Sequence, residues 1–447
     1  MKHTYILLVS IFFTSSIFSQ EIPSQFTLEE AIDYALENNR AAKNAVREVE
    51  ASEQQKKETT ATGLPQIDGA IDYQNWIKQQ VSLLPAEIAG GDPGTFVPVY
   101  FSPKQSVSAF ATLNQLIFDG SYIVGLQSAK VYLEISENSK TKTDLEVRQA
   151  VINAYGNVLL ADENLLIANK NIEVLEKNLN ETTKIYENGL AEEESVEQLQ
   201  ITLTGLENYL SKISRLKDLS YKMFNITLGI DLNEPTILTD NLETLTLQNI
   251  SLELLSVDEN VENTIDYQIA KNQEYTRELL LKLEKSSYLP SLNAFINAGY
   301  SGFDDKFTFA TNNQKWYGSS LLGVSMSIPI FSSGMRSAST QQAKIDLEIA
   351  KENLTETVQQ LKFQIANAKS DYQFAIEEYE NKSINLNLAE RIEKKNQTKF
   401  FEGIASSFDL RQAQTQLYSA QQEYLQSMFD VITKKAELET ILNTVNY

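Results

Sequence analysis

The residues able to do chemistry in this chain are acids. Sixty Asp and Glu stand against 38 Lys and Arg, one His and no Cys, for a formal charge of −22. The single histidine, His3, falls in a leader-like start, and removing that leader with Lys2 takes the charge to −23. A mature chain without imidazole or thiol cannot build a Ser-His-Asp or Cys-His site, nor the usual zinc sites. It also has no disulfide framework and no N-terminal cysteine for lipid. No Gly-rich phosphate loop is present. Carboxylate pairs of the glycosidase kind remain available in number, yet most acids lie along helical stretches, where a solvated face is the plain reading. The expectation is no enzyme, no metal and no cofactor. The acidic balance argues against nucleic acid as a partner.

Two places set acids beside an unusual turn. Tyr186-Glu187-Asn188-Gly189-Leu190-Ala191 leads into Glu192-Glu193-Glu194 and Ser195, while Phe400-Phe401-Glu402-Gly403-Ile404-Ala405 leads to Asp409. An offset of 214 residues superimposes Gly189 on Gly403, Leu190 on Ile404, Ala191 on Ala405 and Gln200 on Gln414. A glycine supplies the positive φ at which a helix stops, and a small residue after it permits a reversal. Beyond each turn a heptad seam begins. Val196, Leu199, Leu203, Leu206, Leu210 and Ile213 form the first; Leu410, Ala413, Leu417, Ala420 and Tyr424 form the second. Asp409 and the three glutamates also occupy first helical turns, where an acid is favoured by the helix dipole alone.

The elements that present these turns come twice. Residues 1–19 read as a secretory signal peptide with an apolar run too short to span a membrane. The first repeat covers 20–228: a helix from Phe26 to about Thr60, strands about 66–78 and 105–118, a long helix about 120–187, the tip turn, and a helix 192–228. A connector, 229–262, is mixed in pattern. The second repeat, 263–447, carries a helix, strands about 291–301 and 319–331, a long helix about 335–401, the second tip and a helix 405–444. Each long helix would measure about 100 Å at 1.5 Å per residue. The strands alternate: Ile67, Ile71 and Tyr73 against Asp68 and Asp72; Val107, Ala109, Ala111, Leu113 and Ile117 against Ser106, Ser108 and Thr112, with Phe110 the exception. Residues 79–104 form a long loop with Pro85, Pro93, Pro98 and Pro103.

Four amphipathic strands of this length suit a tilted barrel wall, but four cannot close, and lipid tolerates no open edge. Closure then requires other copies. Tyr73, Trp76, Tyr100, Trp316 and Tyr317 at one end, with Phe118 and Phe331 at the other, suit interfacial girdles. The alternatives are a soluble β-sandwich decorated with coiled coil, or a self-contained porin-like or adhesive surface protein on a coiled-coil stalk. Matched hairpin turns favour neither, since a stalk has no use for two equivalent tips.

Leu116-Ile117-Phe118-Asp119-Gly120, its copy Ile328-Pro329-Ile330-Phe331, and the turns at Gly189 and Gly403 resemble the TolC family of outer-membrane efflux and secretion channels. The resemblance covers about 26–445. It implies a mixed α and β fold: a homotrimer with four strands per chain closing one β-barrel, continued by a long α-helical coiled-coil tunnel in the periplasm. It further implies a passive exit duct in a tripartite efflux or type I secretion system, set in outer-membrane lipid. An inner-membrane transporter and a periplasmic adaptor, or membrane fusion protein, would be its partners. Carried over residue by residue, the adaptor-docking tips are Gly189, Leu190 and Ala191, with Gly403, Ile404 and Ala405. The family's tip aspartate matches Asp409, with Ser195 in its place in the first repeat; a second acid is replaced by Gln412, and Ala405 stands where some members have an arginine.

Overall fold

Thr27 starts the first helix by a reciprocal cap, accepting from the Glu30 amide while Glu30 accepts from the Thr27 amide. The structure, a computed structural model, describes residues 25–257 and 260–444; the signal peptide expected at 1–19 lies outside them. In chain order the elements are β1 (Gln25–Phe26), α1 (Leu28–Asn38), α2 (Arg40–Ala61), β2 (Gln66–Asn75), β3 (Ser82–Pro85), β4 (Phe96–Val99), β5 (Gln105–Phe118), α3 (Gly120–Glu187) and α4 (Glu193–Leu228). After them come β6 (Ile237–Leu238), α5 (Leu242–Gln248), α6 (Leu252–Leu255), α7 (Ile265–Ser286), β7 (Ser291–Asp304), β8 (Trp316–Ser327), α8 (Met335–Phe401) and α9 (Ser407–Leu442). Among the described residues no helix is long and apolar enough to cross a membrane.

Several bounds differ from the sequence reading, each for a physical reason. The single helix expected over 26–60 is two, because Asn39 closes one and opens the next. Its side chain donates to Thr227 O at 2.7 Å and accepts from the Ala41 amide at 2.7 Å, while its own backbone is extended (φ −58, ψ 139). The strand expected to reach 331 starts at Trp316 and ends at Ser327, ahead of Pro329, which has no amide to donate. The strand expected to reach 78 ends at Asn75. The loop expected over 79–104 contains the hairpin β3–β4, with Leu83 opposite Pro98. Ile117 leaves the apolar face, because a bulge between Leu116 and Phe118 turns it out of the ladder and sets Phe118 opposite Leu292.

The chain divides into two compact units. One holds β2 through β5, α7, β7, β8 and the adjoining parts of α2, α3 and α8. Its sheet has the order β2-β5-β7-β8, antiparallel throughout, so β2 and β8 are free edges. Register makes one face apolar: Ile67, Leu113, Ile296 and Leu322 stand in one row, and Tyr73, Val107, Gly302 and Trp316 in another. The opposite face is wet. Asp72, Ser108 and Ser301 share a row, with the two serine hydroxyls 3.2 Å apart, and Asn297 donates to Thr112 at 2.7 Å. Phe110 sits on this polar face because it lies across Gly299, where a Cβ would come within 2.6 Å of its ring. Phe295 covers Gly323 likewise, at 2.4 Å. Aromatic cover of this kind fills the gap a strand glycine leaves.

The other unit holds α1, α4, α5, α6, α9, the pair β1–β6 and the remaining lengths of α3 and α8. Its core gathers Phe26, Val151, Tyr155, Val158, Phe224, Leu228, Leu242, Met428 and Ile432. A second cluster joins Leu175, Leu199, Leu203 and Leu206, with Tyr418 packed against it. The connector is not irregular. β6 pairs in parallel with β1, and α5 starts at Asn241, whose side chain caps the Glu243 and Thr244 amides.

Candidate functional site

Each hairpin tip is built the same way. Gly189 takes φ +73 and Gly403 φ +75, and the amide after each reaches back five residues: Leu190 to Ile185 O at 3.0 Å, Ile404 to Lys399 O at 2.8 Å. This is a Schellman closure, which satisfies carbonyls that the ending helix leaves orphaned. A Cβ at either glycine would meet nothing within 4 Å, so backbone conformation alone calls for glycine. The closure leaves Leu190 80% and Ile404 71% exposed, while Ala191 and Ala405 are half-buried.

The two following helices start differently. Ser406 caps α9 with a full capping box: it accepts from the Asp409 amide at 3.2 Å, and Asp409 Oδ2 accepts from the Ser406 hydroxyl at 2.6 Å and amide at 3.0 Å. These bonds hold the exposed Asp409 carboxyl below its ordinary value, the Ser406 hydroxyl first among them. At α4 the cap is Glu192, which makes no side-chain cap bond, and Ser195 takes the place of Asp409. The second tip therefore fixes a carboxylate by its own capping box, whereas the nearest held acid of the first, Glu194, accepts from the Gln198 side chain at 2.8 Å.

Above the tips the four helices interlock through polar contacts as well as leucines. Gln397 donates to Asn178 at 3.1 Å, Asn171 to Gln421 at 2.8 Å, and Lys382 pairs with Glu423 at 2.8 Å. Gln414 is 1% exposed, whereas its repeat partner Gln200 faces solvent, so the duplication does not extend to the burial of this position. Burial raises Glu393 and pushes Tyr418 up to about 12, with the Glu393 charge adding to the latter.

The profile of a family described as outer membrane efflux protein matches residues 31–216 and 272–444, spanning both tips and all four sheet strands. The chain belongs to the outer membrane efflux protein family. As an outer membrane efflux protein it is a component of the outer membrane. The alkaline protease secretion protein AprF of Pseudomonas aeruginosa is 27% identical over 157 residues, which is 34% of this chain and 31% of AprF. The matched stretch thus spans about a third of that relative's length. The crystal structure of the outer membrane protein VceC from Vibrio cholerae superposes with a TM-score of 0.72 at 15% identity, covering 93% of this chain and 95% of VceC. The Campylobacter jejuni CmeC outer membrane channel gives 0.72 at 17% identity, covering 93% and 85%. The likeness to both structures is one of fold.

Sequence reasoning missed what fixes the connector of this efflux protein. Tyr155 and Tyr372 are fully buried along the two long helices, and both hydroxyls engage residues between 239 and 252. Tyr372 shares the buried face of α8 with Leu361, Ile365, Ala368 and Ala375, but a place on an apolar face does not reveal what a hydroxyl bonds.

Proposed function

We propose that three copies of this outer membrane efflux protein form one duct, and that the duct is passive. The observation that carries it is the sheet: one face apolar, the other polar, and the outer edges of β2 and β8 unpaired. Such a wall suits lipid on one side and water on the other, and lipid excludes its open edges. Three walls give twelve strands, enough for an aqueous lumen. Within the same unit, an apolar groove of about 560 Å³ lined by Thr59, Ala129, Tyr132, Ile135, Leu279 and Leu280 is uncovered, as are Ile345 and Ile349 on α8. Neighbouring copies supply natural cover for both.

The tips are the docking surface in this reading. Leu190 and Ile404 offer apolar side chains to a periplasmic adaptor, and Gly189, Ala191, Gly403 and Ala405 hold the closures that present them. The adaptor links the duct to an inner-membrane transporter, in an efflux or type I secretion machine. Asp409 lines the periplasmic entrance, with Ser195 its uncharged counterpart. The duct contributes no bond-making step; its groups position, exclude and conduct.

The test is the mass of the purified protein in detergent together with conductance in planar bilayers. Three chains per particle and a stable ohmic pore are expected. A monomer or dimer, or a trimer without conductance, overturns the proposal.

A further inference from the structure

Between β2 and β5 the chain makes an excursion that the duct itself does not require. Residues 79–86 and 93–103 carry no charge, although this stretch lies at the wet end of an outer-membrane sheet. The excursion is ordered by its own bonds. The Ala86 amide donates to Thr95 O at 2.9 Å, the Gly91 amide to Ala86 O at 2.8 Å, and Glu87 accepts from the Gly94 amide at 3.1 Å. Gln79 closes the base by donating to Ser102 O at 2.8 Å. β3 and β4 therefore present a formed surface.

Alternation splits that surface into two faces. Ser82, Leu84 and Val99 are half-buried, while Leu83, Pro85, Phe96 and Pro98 share the other face and all stand exposed, Leu83 at 65% and Phe96 at 61%. Ile88, Tyr100 and Phe101 extend the apolar area. A preformed apolar face at a wet rim has a hydration cost that a partner removes.

The sheet indicates which partner. β2 is a free edge, and six residues separate its end at Asn75 from β3. The other free edge, β8, begins at Trp316, in the same row as Tyr73 near the end of β2. β2 and β8 run in opposite directions within one sheet. Pairing β8 of one copy with β2 of the next therefore continues the antiparallel order and brings the start of β8 beside the neighbour's hairpin. Both residues at that start are exposed, Trp316 on the apolar face opposite Gly302 and Tyr317 on the polar face opposite Ser301, so the rim is open on both sides of the wall. The two surfaces differ, so the contact is head-to-tail and closes on itself in a ring.

We infer that the Leu83–Phe96 face of the hairpin is a clasp that docks on a second copy of this chain, on its rim around Trp316 and Tyr317. The inference rests on the oligomeric duct proposed above and adds a contact outside the barrel wall. It makes the hairpin, with no role in conduction, a determinant of how firmly the ring holds.

The absence of cysteine makes the test direct. Phe96→Cys combined with Tyr317→Cys, treated with a short bismaleimide in native membranes, should give covalent dimers and trimers; neither single variant should. Separately, Leu83→Ser with Phe96→Ser, both on exposed positions, should lower the temperature at which the detergent-resistant oligomer dissociates. An intact oligomer with no cross-link and an unchanged dissociation temperature overturns the clasp while leaving the duct standing. Cross-linking by Phe96→Cys alone also overturns it, because hairpins would then meet one another. An unchanged dissociation temperature with impaired insertion into phospholipid vesicles assigns the face to lipid instead. A wild-type monomer in detergent overturns the duct and the clasp together.

Discussion

The Tyr155 hydroxyl donates to Asp240 Oδ2 at 2.8 Å, and the same oxygen accepts from the Leu28 amide at 2.7 Å. A residue on α3 and one within the connector, just ahead of α5, thereby hold the start of α1 in one knot. Phe26 O also lies 3.0 Å from the Tyr155 hydroxyl, and the Thr239 amide donates to Phe26 O at 3.1 Å. Burial, reinforced by the Asp240 carboxylate, raises the tyrosine well above its ordinary value and keeps the hydroxyl a donor.

Tyr155→Phe should release this knot. It leaves Asp240 with one donor fewer in a half-buried setting, a loss of about 1–3 kcal/mol. Amide exchange over 237–248 should accelerate while exchange at the tips stays the same. Unchanged protection there would show that packing, and not the hydroxyl, holds the connector.

At the tips, Gly403→Val and Gly403→Asn separate conformation from composition. Left-handed backbone costs a β-branched residue about 1–2 kcal/mol, whereas Asn visits it routinely. No neighbour crowds the position, so the whole effect is conformational. The Val variant should assemble and insert but fail to restore export in a deletion strain; the Asn variant should restore it. Normal export by the Val variant would remove this tip from the docking surface.

Asp409→Asn removes the charge but keeps an acceptor for the Ser406 amide. Helix α9 should start as before, since Asn accepts a capping bond nearly as well as Asp. In the proposed trimer three such carboxylates would stand near one entrance and attract cations over a screening distance of about 8 Å at physiological salt. Bilayer recordings should accordingly show weaker cation preference and weaker block by divalent cations from the tip side. Identical selectivity in an intact oligomer would reduce Asp409 to its capping duty.

Two half-buried tyrosines set an alkaline limit. Burial pushes Tyr221 and Tyr418 up to about 12 from the ordinary 10, Asp162 adding to the first and Glu393 to the second. The folded protein holds these protons more tightly than the unfolded chain. Their contribution is complete below pH 10 and lost progressively as the pH rises from 10 to about 12. Thermal unfolding followed by far-UV circular dichroism should show stability falling across that window. Tyr221→Phe with Tyr418→Phe should flatten the fall; a fall of equal steepness would place its origin elsewhere.

How much of this was legible depends on repetition and length. α3 and α8 are long, free of proline, and packed at regular intervals through residues such as Leu175 and Ile365, so period reveals them. The strands show themselves by alternation, and Phe110, which breaks it, becomes intelligible only when Gly299 is seen beside it. Asn39 could not be read as a break, since neither glycine nor proline marks it and its effect comes through Thr227, distant in sequence. The connector escaped because β6 and α6, of two and four residues, span about one hydrophobic period each and so show no repeat. At the tips, glycine and its offset copy expose the turn geometry, while the difference between Gln200 and Gln414 depends on how neighbouring helices pack.

The two free edges of the four-stranded sheet also carry a kinetic consequence. A lone chain cannot pass its edge amides and carbonyls into hydrocarbon, so membrane insertion must wait for an encounter between chains. Its rate should then rise more steeply than linearly with the concentration of unassembled protein. Halving expression would leave fewer than half the pores, and a burst of synthesis would fill the membrane faster than the same amount delivered slowly.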